Sequence, residues 1–281
     1  MTNYGGIPKQ YCNEEKSPIV ILPVPYDGTS TWVKGADKGP EAILEASANM
    51  ELFDIETETE VYKKGIYTAR PVKEKKSPER MTEAVYKEVK KYLASGKFVV
   101  TIGGEHSVSV GAIQAHAEKY KDMCVLQFDA HSDMRDSYEG SKYNHACAMA
   151  RAKEFAPVIQ VGIRSMDIDE RPNIDFKKVF IADIMRQDKS WQDKVLSILS
   201  TNVYITIDLD VFDPSIMPST GTPEPGGMGW YDLLDLVRKV DEKFNIVGLD
   251  VVELCPNHYD RAPDFLASKL IYKILSYRFN N

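Results

Sequence analysis

Short apolar runs recur along the chain and alternate with longer segments of mixed polarity. Most of these runs are apolar at nearly every position, which is typical of strands covered on both faces in a parallel sheet. The predicted strands cover residues 19–24, 98–102, 124–129, 157–161, 179–181, 203–210 and 246–252. The pattern indicates an α/β fold built on one parallel sheet.

The segments between these runs are predicted to be helical, and they cover residues 39–50, 77–95, 107–120, 190–200, 231–243 and 262–278. In segment 231–243 the apolar side chains recur at helical spacing, at Leu233, Leu236, Val237 and Val240. Ser107 is a candidate N-cap for the segment that follows it. Alternating strands and helices predict helices packed on both sides of the sheet.

The composition is that of a globular chain. With 281 residues, 43% of them hydrophobic, and without a linker rich in Pro, Gly or Ser, we expect one domain over residues 1–281.

The net charge of −7 argues against nucleic acid or an anionic membrane as the main partner. The start of the sequence is not that of a signal peptide, and no apolar run reaches the roughly 20 residues of a membrane span, so we expect a cytoplasmic protein.

The four cysteines, Cys12, Cys124, Cys147 and Cys255, lack the CxxC spacing of a metal or redox motif. Three of them lie in or near apolar segments, where packed thiols are common. We therefore expect neither a disulfide framework nor a zinc knot.

Polar side chains that can bind or react follow four of the predicted strands. They are Glu105 and His106 after the second strand, Asp129, His131 and Asp133 in QFDAHSDMRD, Asp208 and Asp210 in IDLDVFDP, and Glu253 after the last strand. The carboxyl ends of parallel strands lie along the same edge of a sheet, which is where ligands bind in open α/β folds. We expect these side chains to converge.

Four buried aspartates repel one another unless protons or metal ions neutralise them. Two histidines among them favour metal, and bridging carboxylates allow such a set to hold two divalent ions. The oxygen-rich set suits Mn²⁺ better than structural Zn²⁺, with nickel, cobalt or iron as alternatives. A single DxD or DxH can instead be a turn or a cap. Three such motifs at strand ends together favour a metal centre.

At these residues the sequence resembles the ureohydrolase family of arginases and agmatinases. The matching motifs are GGEHSVSVG (103–111), DAHSDMRD (129–136), NHACAM (144–149), IDLDVFDPSIMPSTGTPEPGG (207–227) and DVVELCP (250–256). The resemblance implies a three-layer α/β/α sandwich with a mainly parallel eight-stranded sheet, the arginase/deacetylase-like fold. It also implies a homo-oligomer, a trimer or a hexamer.

The resemblance implies two Mn²⁺ ions per subunit. One ion would be bound by His106, Asp129, Asp133 and Asp208, and the other by Asp129, His131, Asp208 and Asp210. Glu105 and Asp213 lie beside ligands and would be caps or supports. As a hypothesis, the two ions lower the pKa of a shared water, which then attacks the planar carbon of a guanidinium group.

The same resemblance implies roles for three further side chains. Asp133 would pass a proton towards the departing nitrogen, His145 would relay protons between solvent and the product amine, and Glu253 would pair with the guanidinium. Without the resemblance, His145 can be a surface or capping residue. Glu253 can instead form a structural ion pair with an arginine such as Arg164.

Agmatine, hydrolysed to putrescine and urea, is the favoured substrate. Residues 134–140 differ from the Asn-, Thr- and Ser-rich loop of arginases, and stretches 160–167 and 262–275 look like agmatinases. Glu139 or Asp167 can receive a distal ammonium. Arg135, in contrast, suits a carboxylate-bearing substrate such as arginine or guanidinobutyrate, and aminopropylagmatine is a further alternative.

Other functions are compatible with parts of this pattern. Metallophosphoesterases also begin with DxH but require later GDxxD and GNH[DE] segments, which the sequence lacks. Deacetylases share the fold but use one zinc ion with a different ligand set. The remaining alternative is a non-catalytic metal-binding polyamine sensor. Such proteins tend to lose a ligand or the proton relay, whereas this chain keeps all the positions named above. The expected partner is therefore a small cationic guanidino substrate.

Overall fold

The computed structural model describes residues 2–280, and in that part of the chain the strands form one parallel sheet. The strands are β1 (Ile19–Val24), β2 (Ile66–Thr68), β3 (Phe98–Gly103), β4 (Met123–Phe128), β5 (Val158–Ile163), β6 (Val179–Ile181), β7 (Asn202–Asp208) and β8 (Asn245–Val252). Their order across the sheet is β2-β1-β3-β8-β7-β4-β5-β6. The prediction of a central parallel sheet is confirmed.

Helices cover both faces of this sheet. They are α1 (Gly39–Ser47), α2 (Pro78–Ala94), α3 (Val108–Lys119), α4 (Ala148–Ala152), α5 (Ala182–Met185), α6 (Trp191–Leu196), α7 (Trp230–Lys243) and α8 (Ala262–Arg278). One core cluster joins Ile19 and Ile21 to residues of α1, α5, α6, α7 and α8. A second joins Val20 and Leu22 to α2, α3 and α4. Successive strand residues thus enter opposite cores, and the expected three-layer α/β/α sandwich is confirmed.

Several predicted boundaries differ from the structure. Strand β2 is missing from the prediction because three residues at the edge of the sheet carry little periodic signal. The strand predicted over 203–210 ends at Asp208, since Leu209–Val211 forms a 3₁₀ turn. The helix predicted over 190–200 is only α6, and Ser107 is not a side-chain cap, because its hydroxyl donates to Glu105 Oε1 at 2.7 Å.

Two further properties concern the cysteines and the helices. Each of the cysteines Cys12, Cys124, Cys147 and Cys255 is a free thiol, and Cys124 and Cys147 are buried. Among residues 2–280, no helix combines the length and the apolar character that a membrane crossing requires.

Gly104 connects β3 to the residues that follow it. Its N–H donates to Val24 O at 2.9 Å and its carbonyl accepts from Glu253 N at 2.7 Å. A Cβ at this position would lie 1.9 Å from Tyr26 O, so only glycine fits. Gly104 therefore fixes the backbone from which Glu105 and His106 project.

The Gly104→Ala variant should be destabilised because its methyl group overlaps the Tyr26 carbonyl. We expect a loss of about 1–3 kcal/mol in the free energy of unfolding, measured by urea denaturation. Gly221→Ala is the matched control, since a Cβ there would lie 3.5 Å from its nearest neighbour, Val33 O. Equal stability of the two variants would contradict the close approach at Gly104.

Candidate metal centre

The strand ends bring the predicted polar side chains together at one edge of the sheet. His106 follows β3, Asp129 directly follows β4, and Asp208 ends β7. These strands lie within the central part of the sheet, where β8 separates β3 from β7, and β7 pairs with β4. The convergence expected from parallel strands is therefore present in the structure.

His106 is surrounded by three carboxylates. Its Nδ1 atom lies 3.1 Å from Asp129 Oδ2, 3.1 Å from Asp133 Oδ2 and 3.4 Å from Asp208 Oδ2. All four side chains are buried. His106, Asp129 and Asp208 have ligand atoms close enough to hold one metal ion.

His131 forms a second group beside the first. Its Nδ1 lies 2.9 Å from Asp210 Oδ2 and 3.7 Å from Asp129 Oδ1. Asp129, His131 and Asp210 can hold a second ion, so Asp129 belongs to both groups. The participation of Asp208 in the second group and of Asp133 in the first stays a prediction. Asp133 Oδ2 lies 3.1 Å from His106 Nδ1.

The hydrogen bonds of His106 test whether a metal ion fits. Nε2 lies 2.9 Å from Thr206 Oγ1, whose own proton is donated to Asp250 Oδ1 at 2.7 Å. Nε2 must therefore carry the proton in the neutral ring, and the Nδ1 lone pair faces the carboxylates. Nδ1 is buried without a hydrogen-bond partner among the described residues. Burial lowers the pKa of His106, but the three surrounding carboxylates raise it well above its usual value, so this position attracts positive charge. A divalent cation between the nitrogen and the carboxylate oxygens supplies that charge and fits this donor set.

The pKa values report the same excess of negative charge. Burial, together with the neighbouring Asp210 and Asp133, raises the pKa of Asp129 to about 7. Burial lowers the pKa of His131, but the carboxylates of Asp210 and Asp129 outweigh it and raise this pKa to about 11. Protein side chains alone thus leave the cluster short of positive charge, which cations in the two groups would supply.

A row of polar side chains crosses the sheet beneath the two groups. Strand register places Gln160, Gln127, Thr206, Asp250 and Thr101 side by side. Gln127 donates through Nε2 to Asp129 Oδ2 at 2.7 Å, and its Oε1 accepts from Gln160 Nε2 at 2.6 Å. Hydrogen bonds from this row orient ligand side chains, as supports of metal sites usually do. The row is not among the functional residues predicted from the sequence, where its signal is a single polar residue inside each apolar strand.

Glu105 and Asp213 hold the loops around the centre. Glu105 is fully buried and accepts hydrogen bonds from Thr29 Oγ1 at 2.8 Å and Ser107 Oγ at 2.7 Å. Asp213 accepts from the backbone N–H groups of Ser215, Gly226 and Gly227. Both residues have the supporting geometry that the sequence suggested, and neither is part of the two ligand groups.

Glu253 lies at the end of β8 with its backbone in the left-handed region, at φ 66°. Its Oε1 accepts a hydrogen bond from His106 N at 2.7 Å, and the side chain lines a cavity together with Asp133 and His145. The alternative pairing with Arg164 is wrong, because the guanidinium of Arg164 donates to backbone carbonyls. A strained, buried carboxylate that faces a cavity is typical of a functional group.

His145 begins a short 3₁₀ helix, His145–Cys147, and is half-buried in the cavity wall. Its backbone N–H donates to Thr29 Oγ1 at 2.9 Å, and its Nδ1 lies 3.3 Å from the same oxygen. Asn144 is the side-chain cap of this helix. The interpretations of His145 as a surface or capping residue are therefore wrong.

The cavity above the two groups has a volume of about 260 Å³. We call its outer part the rim, which consists of Trp32, Arg135, Tyr138 and Asp167. Arg135 Nη2 lies 3.0 Å from Asp167 Oδ2, and its guanidinium carbon lies 4.4 Å from the centre of the Tyr138 ring. Glu170 Oε1 is 3.5 Å from Arg135 Nε. Glu139 is exposed and lies outside the cavity lining.

Comparison with known proteins agrees with this geometry. A family model described as the arginase family matches residues 17–276. The N(1)-aminopropylagmatine ureohydrolase of Synechocystis sp. is 38% identical over 96% of this chain and 94% of its own length. The protein of the same name from Thermus thermophilus is 39% identical over 92% of this chain and 89% of its own length.

A solved structure extends the agreement to three dimensions. The agmatine ureohydrolase of Thermoplasma volcanium has a TM-score of 0.90 and 30% sequence identity, covering 100% of this chain and 95% of that one. The resemblance inferred from the motifs is confirmed. The chain belongs to the arginase family of binuclear metal-dependent ureohydrolases, which are hydrolases of amidino C–N bonds.

Proposed function

We propose that the chain hydrolyses the guanidinium group of an agmatine that carries an aminopropyl extension, releasing urea and spermidine. The observation that carries this proposal is the name shared by the relatives from Synechocystis and Thermus, both matched over more than nine-tenths of this chain. The sequence motifs favoured agmatine itself, whereas these relatives favour the longer derivative that was the alternative.

The charge balance at the rim supports a cationic substrate. An unpaired Arg135 would attract the carboxylate of arginine or guanidinobutyrate. Its guanidinium is instead paired with Asp167 and Glu170, so one cation faces two carboxylates. The rim therefore gives no free positive charge to a carboxylate-bearing substrate, and a polyamine tail avoids the repulsion that an unpaired arginine would cause.

Trp32 offers the extended tail a contact surface. Its side chain lines the cavity, yet the residue is 78% exposed. Methylene groups and an ammonium group can pack on an indole face, and this contact is stronger where water is excluded. A tail that leaves the guanidinium near Glu253 and passes Trp32 would cover this exposed aromatic surface.

Agmatine is the second candidate. The structural relative from Thermoplasma is an agmatine ureohydrolase with the same fold over the full length of this chain. Agmatine has the same guanidinium and butyl chain and lacks only the aminopropyl extension. We call the part of the cavity formed by the two ligand groups and Glu253 its floor. The two candidates thus differ in contacts at the rim and not in the chemistry at the floor.

For the cofactor we propose two Mn²⁺ ions per subunit, held by His106, Asp129 and Asp208 and by Asp129, His131 and Asp210. Asp133 is expected to complete the first set. When bound, such ions supply a water-derived nucleophile at neutral pH and compensate the charge that develops during attack.

The side chains above the groups would bind substrate and move protons. Glu253 has one oxygen occupied by His106 N, which leaves Oε2 to accept N–H groups of the planar guanidinium. Hydrolysis forms a C–O bond and breaks the C–N bond to the amine, so the departing nitrogen must gain a proton. Asp133 and His145 both line the cavity and are the proposed path for that proton.

The substrate preference can be measured directly. We expect kcat/KM for aminopropylagmatine to exceed that for agmatine about tenfold or more, and that for arginine to be lowest, because extra contacts at the rim stabilise the longer substrate. Urea release should be followed with Mn²⁺-loaded enzyme and with chelator-treated enzyme as the control. A preference for arginine or guanidinobutyrate would refute the proposed substrate class.

Replacement of Trp32 by Ala tests the contact at the rim. We expect kcat/KM for aminopropylagmatine to fall roughly 3- to 30-fold because an aromatic contact with a cationic chain is lost, while agmatine is affected less. Tyr231→Ala is the matched control, since Tyr231 is 76% exposed on α7 and is not among the cavity residues. Equal losses for both substrates would argue against a tail contact at Trp32.

Metal content separates ligands from proton carriers. Asp129→Ala should abolish urea release and lower the bound metal measured by elemental analysis, because Asp129 belongs to both groups. His145→Ala should keep its metal and lose roughly 10²–10⁴-fold in kcat. The exposed Asp193→Ala is the control. Loss of metal in His145→Ala would mean that this residue is a ligand or a structural support.

A further inference from the structure

Thr29 lies in the loop after β1 and contacts two residues that are distant in sequence. Its Oγ1 lies 2.8 Å from Glu105 Oε2, 2.9 Å from the backbone N of His145 and 3.3 Å from Nδ1 of the His145 ring. One half-buried hydroxyl thus joins the residue before His106 to the ring in the cavity wall.

The proton count of a hydroxyl determines how these contacts are arranged. A hydroxyl donates one hydrogen bond and accepts two. Thr29 donates its proton to the carboxylate of Glu105, and one lone pair accepts from His145 N. The second lone pair can then only accept from His145 Nδ1, so that nitrogen must carry the ring proton.

We propose that Thr29 is a positioning residue that holds His145 as the Nδ1–H tautomer and leaves Nε2 free towards the cavity. The proposal rests on the proposed function, in which His145 relays protons. Nε2 is then the atom that takes up a proton from solvent and gives it to the departing amine. The ring returns to its starting tautomer after each transfer, because Thr29 continues to hold Nδ1–H.

The surroundings of Thr29 make it a rigid support. Glu105 is fully buried, and its second oxygen accepts from Ser107 Oγ at 2.7 Å. The backbone N–H of Glu105 donates to Tyr26 O at 2.9 Å, which fixes the Glu105 backbone against the loop that contains Thr29. Because both the backbone and the ring of His145 contact Thr29, loss of the hydroxyl releases the ring at two points.

Two substitutions of Thr29 distinguish the effect of its hydroxyl group from the effect of its side-chain volume. Thr29→Val keeps the volume but removes the donor and the acceptor, and we expect kcat to fall about tenfold or more with KM and bound metal unchanged. Thr29→Ser keeps the hydroxyl, so its kcat should lie within about threefold of the wild-type value and well above the kcat of Thr29→Val. Thr82→Val is the control, since Thr82 is a buried threonine on α2 without a hydrogen-bond partner for its hydroxyl among the described residues. Failure of Thr29→Ser to restore kcat would overturn the proposal.

A double-mutant cycle tests whether Thr29 acts through His145. In the His145→Ala background, Thr29→Val should lower kcat no further, because the ring that it positions is absent. A merely structural role for Thr29 would instead give multiplied losses. Additive free-energy effects would therefore overturn the proposal.

The tautomer can be observed without any turnover. The chain has five histidines, so nitrogen-15 NMR of the 281-residue chain, labelled at histidine and loaded with diamagnetic Zn²⁺ in place of Mn²⁺, can identify the His145 signals when His145→Ala is used for assignment. We expect a protonated Nδ1 in wild type and Thr29→Ser, and loss of this preference in Thr29→Val. An unchanged tautomer in Thr29→Val would refute the inference, whereas absence of urea release from wild type would refute only the proposed function.

Discussion

Repulsion among buried carboxylates is the constraint around which this molecule is organised. Asp129, Asp133 and Asp208 face one imidazole nitrogen, and Asp210 faces the other histidine of the centre. Burial and the neighbouring carboxylates of Asp210 and Asp133 raise the pKa of Asp129, and the hydrogen bond with His106 does not offset them. A parallel sheet tolerates such a cluster because its strand ends supply rigid backbone on which the carboxylates cannot move apart.

The polar row beneath the cluster connects His106 to buried side chains in the core of the sheet. Thr206 and Tyr204 both donate to the buried carboxylate of Asp250, and Thr206 in turn fixes the proton of His106 on Nε2. These hydrogen bonds stabilise the buried side chains of Thr206, Tyr204 and Asp250, since an unpaired polar group in the core costs about 1–3 kcal/mol. The tautomer of a metal-site histidine is therefore determined by a strand two positions away in the sheet.

Sequence predicted the parts of the molecule that depend on local pattern. Apolar runs located seven of the strands in the described chain, and motif spacing located the residues of both groups. The pairing of Arg135 with Asp167 and the contact between Thr29 and His145 were not predictable, because they join loops that are 32 and 116 residues apart. Such contacts depend on how loops fold over the sheet edge, and no periodicity along the chain encodes that.

The division between floor and rim explains why family membership leaves the substrate open. The floor of the cavity consists of strand ends, whose positions follow from the sheet and whose chemistry needs only a guanidinium. The rim consists of loop residues, and in the proposed function the pairing of Arg135 there determines which charge the cavity attracts. Arg135 would select a carboxylate if it were unpaired, but together with Asp167 and Glu170 it belongs to a group with excess negative charge. In the proposed function, substrate choice therefore depends on loop contacts at the rim, while the hydrolytic chemistry depends on the strand ends that hold the metal centre.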